Sequence, residues 1–161
     1  EIKARESSAA DAGRSILTAL EKKNGGAYDL ALLFCTLARA AGVPAVPTAG
    51  LLVDPQQKAV LHWWAEFYVN GFGWVPVDPA LASAVPFDTG VADKGRWYFG
   101  NLDAYHIAFS RGYQTQAPML PNGKTTEKVR SYAFRSIWEE ATPNISGYSA
   151  LWRLPKITSV Y

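Results

Sequence analysis

The chain has 161 residues, 48% of them hydrophobic and 19% charged, which is the composition of a globular domain with a real core and excludes a disordered or fibrous one. Its net charge of +2, with the basic residues scattered, gives no electrostatic footprint for nucleic acid, and no apolar run approaches the roughly 20 residues of a membrane helix. The single cysteine, Cys35, excludes an internal disulfide and leaves the compartment open, an extracytoplasmic or cell-envelope location included.

Residues 1–23 read as one supporting helix, with Ser7 or Ser8 as its N-cap and Ile16, Leu17 and Leu20 as its apolar stripe, stopped by Asn24-Gly25. The stretch from Asn24 to Gly42 follows, and the rest of the chain is organised around it. Leu30, Leu33, Phe34, Leu37 and Ala41 recur at the spacing of one helical face, and Ala31, Cys35 and Ala38 make a second apolar face. Only Leu32, Thr36 and Arg39 are left for the solvent, so the helix is expected to be central. Gly25-Gly26 allows a tight entry, Asp29 puts a negative charge in the first turn, and Gly42 with Pro44 ends the run.

Val43 to Val53 reads as an extended segment that becomes a strand and turns at Asp54-Pro55. Leu61 to Val69 is a strand ended by Asn70-Gly71, with Phe72 to Val77 as its returning partner. Asp78 to Gly95, rich in Pro, Ala, Gly and Asp, reads as a long surface loop. Arg96 to Gly100, Ala104 to Ser110 and Val129 to Trp138 read as further strands, with a turn-rich connection at Pro118 to Thr126 and an irregular tail holding one last strand. Helices first and strands later predict an α+β fold: one domain over residues 1–161, a central buried helix packed on an antiparallel sheet. A chain that starts without methionine reads as an excised part of a longer protein.

Three motifs follow one another in this order. Gly25, Asp29, Ala31, Leu33-Phe34, Arg39-Ala40 and Gly42-Val43-Pro44-Ala45 form the first, His62-Trp63-Trp64-Ala65-Glu66 the second, and Gly73-Trp74-Val75-Pro76-Val77-Asp78-Pro79 the third. Together they resemble the transglutaminase-like superfamily, whose papain-like core carries a Cys-His-Asp triad. The stretches Tyr98 to Asp103 and Ala108 to Ser110 resemble bacterial members as well, without an assigned role. The resemblance places Ala27 at the nucleophile position, His62 as general base and later acid, and Asp78 as the carboxylate that orients it. It implies thiolate attack on an amide carbonyl, with backbone N–H groups at the helix start stabilising the oxyanion.

Strand alternation puts His62, Trp64, Glu66 and Tyr68 on one face and Trp63, Ala65, Phe67 and Val69 on the other, the second set being core. A two-residue Asn70-Gly71 turn would pair Trp63 with Asp78 and put His62 on the wrong side. A three-residue loop containing Gly71, such as residues 69–71 with a bulge, pairs His62 with Asp78, so the catalytic reading predicts an odd loop. Tyr28, Trp64 and Trp74 are expected to contact substrate. Glu66 reads as a structural carboxylate, and His106, outside any motif, as a residue without a role.

Alanine at position 27 cannot attack, and Cys35 lies about 12 Å further along the helix, inside its apolar body. The chain is therefore expected to be an inactive relative of amide-hydrolysing or transamidating thiol enzymes. The alternative is a natural pseudoenzyme acting as a peptide- or glycan-binding or scaffolding domain. The retention of both His62 and Asp78 favours the first. Neither a cofactor nor a metal is expected, since the two histidines are distant in sequence and no ligand motif occurs. Expected partners are a peptide or protein substrate or ligand, or a glycan, and neither nucleic acid nor membrane for this segment.

Overall fold

The structure, a computed structural model, describes residues 16–112 apart from 55, 84–86 and 88, the backbone at 3–4, 115–116 and 130–131, and residue 158. In chain order these form β1 (Lys3–Ala4), α1 (Ile16–Lys22), β2 (Asn24–Gly25), α2 (Ala27–Ala40), β3 (Ala45–Val53), β4 (Ala59–Val69), β5 (Gly73–Val77), α3 (Pro79–Ala82), α4 (Lys94–Trp97), β6 (His106–Arg111), β7 (Thr115–Gln116) and β8 (Arg130–Ser131). The fold is α+β. Four strands in the order β5-β4-β3-β6, each antiparallel to its neighbour, make the main sheet.

The helix α2 covers one face of that sheet, because its small and apolar residues match those that alternation points towards it. Ala27, Tyr28, Leu30, Ala31 and Leu32 pack with Ala49 of β3, Trp63 of β4 and Ala80 of α3. Further along, Cys35 packs with Ala45, Ala65 and Val77. The opposite face is also covered near the C-terminal end of β3, where Leu52 joins Leu81 of α3 and Tyr98. A sheet buried on both faces explains why β3 is apolar nearly throughout, with eight of its nine residues buried. Full burial of a leucine such as Leu51, Leu52 or Leu81 stabilises by about 1.5–3 kcal/mol.

Several sequence expectations are corrected. Residues 1–23 are not one helix: Lys3–Ala4 is a strand paired in parallel with Asn24–Gly25, and the helix covers Ile16–Lys22. Its buried residue is Ala19, while Leu17 and Leu20 are exposed. On α2, Leu32 is buried and Leu37 is 60% exposed, because the sheet meets the N-terminal half of the helix and its last turn projects into solvent. The stretch 78–95 is not all surface loop. It opens with α3, whose Ala80 and Leu81 are wholly buried, and closes with the start of α4. Arg96 to Gly100 is not a strand, since α4 runs to Trp97 and is capped at Tyr98, leaving Phe99 in one isolated bridge to Val77. Ser7, Ser8, the 118–126 connection, most of 129–138 and the expected last strand lie outside the described residues.

Candidate active site

Position 27 is defined by how α2 begins. Gly26 is the N-cap, and the carboxylate of Asp29 reaches back to accept its N–H at 3.0 Å, the half of a capping box that a glycine cap allows. Gly25 must stay bare: a Cβ there would lie 2.9 Å from the Cβ of Asp29. Ala27 is 2% exposed and shares its packed cluster with Trp63, the residue after His62, and with Ala80, whose N–H is bonded by Asp78.

The β4–β5 hairpin brings His62 and Asp78 together. Val69 pairs with Gly73, so the loop is Asn70, Gly71 and Phe72, an odd loop as expected but one residue later than residues 69–71. Gly71 has φ +82°, and the Phe72 N–H closes the turn onto the Val69 carbonyl. The pairing of Ala65 with Val77 aims the next residue, Asp78, at the face that carries Trp64 and His62 rather than directly opposite His62. There β5 ends. Asp78 leaves the sheet and caps α3, its Oδ1 accepting the N–H groups of Ala80 at 3.0 Å and Leu81 at 2.9 Å. Pro79 at the first helical position suits that start.

The other oxygen, Oδ2, takes His62 Nε2 at 2.5 Å, with His62 4% exposed and Asp78 wholly buried. It also takes a second imidazole: His106 Nε2 lies 3.1 Å away. His106 therefore has a place in the site, contrary to the sequence reading. It starts β6, on the far side of β3 from His62, and the two rings converge because Gly50 lies between them. Gly50 pairs with His62 on one side and Ala108 on the other, and a bulge in β6 at this point adds Phe109. Trp64 closes the space above, its ring 6.3 Å from that of His62 at 24° and 5.1 Å from that of His106 at 83°.

Burial disfavours charge on Asp78, yet the charge and hydrogen bonds of His62 and His106 outweigh it and hold the carboxyl well below the usual carboxylate range. For His106 burial likewise opposes the charged form, and the carboxylates of Asp78 and Asp103 overcome it and raise its pKa. Asp78 is thus an acceptor that locks the Nε2–H tautomer of His62, leaving Nδ1 as the nitrogen that can take a proton. Donor atoms of His62, Asp78 and His106 all lie within 4.8 Å of one another, which their sequence separation conceals. The 2.5 Å contact is that of a direct hydrogen bond, shorter than the spacing of two atoms each about 2 Å from one ion.

The other expected residues are dispersed. Tyr28 is 3% exposed and meets Trp63 edge-on at 5.6 Å inside the core. Trp74 is 43% exposed and pairs with Tyr68, six residues and about 20 Å along β4 from His62. Its ring lies under the Arg111 guanidinium at 4.3 Å, and Arg111 is ion-paired to Glu66 at 2.8 Å, the structural part expected of that carboxylate. Cys35 is buried, and burial pushes its thiol up to about 11 against the opposing pull of Arg39.

A helix N-terminus set against an antiparallel sheet that carries a buried His-Asp pair defines the class: a papain-like α+β core. Residues 1–79 match the family model described as the transglutaminase-like superfamily, and through these residues the chain belongs to that superfamily. An uncharacterized protein of Haemophilus influenzae is 31% identical over 114 residues, the match covering 53% of this chain and 31% of that protein. The chain therefore spans less than a third of that relative's length.

Proposed function

We propose that this domain is of the thiol acyl-transfer type, built to open an amide or peptide bond by hydrolysis or transamidation, with Ala27 standing where the attacking cysteine belongs. The observation that carries the reading is the buried 2.5 Å bond from His62 Nε2 to Asp78 Oδ2, in a chain whose position 27 opens the central helix. As it stands the chain performs no covalent step, and its expected partner is a peptide or protein carrying a carboxamide.

With a thiol at position 27, His62 Nδ1 takes the thiol proton and the thiolate adds to the amide carbonyl carbon. The tetrahedral oxyanion collapses, the C–N bond breaks, and the imidazolium returns its proton to the leaving amine. Water or a second amine, deprotonated by His62, then adds to the thioester carbonyl, the C–S bond breaks, and the departing thiolate takes its proton back from the imidazolium. Asp78 stays ionised throughout, holds the ring and stabilises its charged form. Trp63 supports the reading further: its indole N–H is buried without a hydrogen-bond partner among the described residues, in the same cluster as Ala27, and is a donor suited to a developing oxyanion.

The test is Ala27→Cys in a Cys35→Ala background, following alkylation from about pH 5 to 9. Labelling well below the free-thiol pKa of about 8.5, abolished by His62→Ala, is the expected result. A thiol that titrates ordinarily and ignores His62 overturns the proposal and leaves a binding module.

A further inference from the structure

His106 stands outside the three motifs, and its two ring nitrogens have unusual company. Nε2 faces Asp78 Oδ2 at 3.1 Å and Nδ1 faces Asp103 Oδ1 at 2.8 Å, with the side chain 2% exposed. A neutral imidazole has one N–H and one lone pair, so in its neutral form one nitrogen would turn a lone pair on a carboxylate oxygen. Neither carboxylate is free to supply the missing proton. Asp103 Oδ2 accepts the Tyr98 hydroxyl at 2.6 Å and its Oδ1 also accepts the Tyr105 N–H at 3.0 Å. Asp78 already takes two backbone N–H groups and His62. Every oxygen that faces His106 is committed as an acceptor.

We propose that His106 is a positioning residue, a fixed imidazolium clamped between Asp78 and Asp103, which holds the Asp78 carboxylate in place for His62 and balances its charge. The role rests on reading His62 and Asp78 as the catalytic pair. The titratable groups around His106 are Asp78 at the end of β5, Asp103 before β6, His62 on β4 at a ring distance of 5.8 Å and Tyr98 after α4 at 6.1 Å. At neutral pH two carboxylates and one cation leave a single negative charge for His62 to answer, spread along a chain that ends at the buried Tyr98. Burial and the Asp103 carboxylate both hold that hydroxyl protonated, so it stays a donor. The Tyr98 to Asp103 stretch thereby anchors the far end of the clamp.

The chain contains two histidines, both in this site, so its imidazole NMR signals are two and are assigned by His106→Gln. In the unaltered protein at neutral pH, the nitrogen shifts of His106 are expected to report protons on both ring nitrogens. Asp103→Asn, which keeps the shape and removes the charge, should move the His106 titration to lower pH. A neutral His106 tautomer at pH 7 in the unaltered chain overturns the proposal, whatever the variants do. The second arm uses Ala27→Cys. There Asp103→Asn should shift the pH dependence of alkylation towards lower pH, because Asp78 is no longer balanced by a second cation and favours the protonated partner ring. An activated thiol whose profile is unmoved by Asp103→Asn sinks the positioning role alone, whereas an ordinary thiol in Ala27→Cys sinks the triad reading and leaves the NMR result standing.

Discussion

Gly50 of β3 lies directly beneath the indole of Trp64. A Cβ at this position would come within 2.9 Å of Trp64 Cη2 and 1.9 Å of the Ile107 carbonyl oxygen. The second contact is with backbone of the neighbouring strand and cannot be relieved by a rotamer change. Gly50→Ala is therefore expected to cost about 3 kcal/mol or more, with β6 displaced and His106 withdrawn from Asp78. Urea unfolding measures the first effect and the His106 imidazole signal the second. A variant as stable as the parent would contradict the floor that this glycine provides.

The start of α2 rests on one carboxylate. Asp29→Ala removes the acceptor of the Gly26 N–H, which lies in a buried segment, and leaves that donor unsatisfied. A loss of about 2 kcal/mol is expected from chemical denaturation. Asp29→Asn should recover part of it, because the amide oxygen can still accept.

Stability should fall on both sides of neutrality, for two separate reasons. Asp78 has a folded pKa below its ordinary 3.8, so its contribution is present above 3.8 and is lost as pH falls through the lower folded value. His106 has a folded pKa above its ordinary 6.5, so its contribution is present below 6.5 and is lost as pH rises through the higher folded value. Asp103→Asn should bring the alkaline decline to lower pH and make it smaller, without moving the Asp78 limb by much. Urea midpoints collected across the pH range would refute this if the parent and Asp103→Asn curves ran parallel above neutral pH.

Cys35 should be inert while the protein is folded. A thiol at about 11 rather than 9.0 carries about 100-fold less thiolate near pH 8, and its burial slows reagent access further. Disulfide-exchange labelling is expected to be negligible in the native protein and complete in denaturant. Labelling of the native chain at the rate of a free cysteine would show that this part of α2 opens readily.

The central helix was legible because its signals are local and redundant: a glycine pair before Ala27, an acidic residue in its first turn, Gly42 and Pro44 after its end. The hairpin was legible too, and the need to bring His62 and Asp78 to one face predicted an odd loop, although the loop lies one residue later and the pairing is shifted by two residues, which keeps both side chains on one face. What the sequence concealed is short or distant. The pairing of Lys3–Ala4 with Asn24–Gly25 spans two residues on each side and leaves no periodicity. The four-residue α3 offers only its Asp78-Pro79 start, and the composition around it resembles a loop. Leu32 and Leu37 exchanged roles because α2 is apolar on most sides, and only the extent of the sheet decides which turn is covered. His106 could not be placed by spacing, since it meets Asp78 across two intervening strands, over a glycine and beside a bulge.

The two oxygens of Asp78 answer to different masters. One starts α3, whose Ala80 and Leu81 are sealed into the interior, and the other joins two imidazoles. Discarding the thiol would not release this carboxylate to drift, because its replacement would unseat a helix and strand His106 beside an empty position. A descendant of such an enzyme could fall silent and go on carrying a faultless-looking acid partner indefinitely. In this architecture the aspartate serves the fold through one oxygen and the imidazoles through the other, so the proposed chemistry is to be judged at position 27 and at the His62 ring that Asp78 holds.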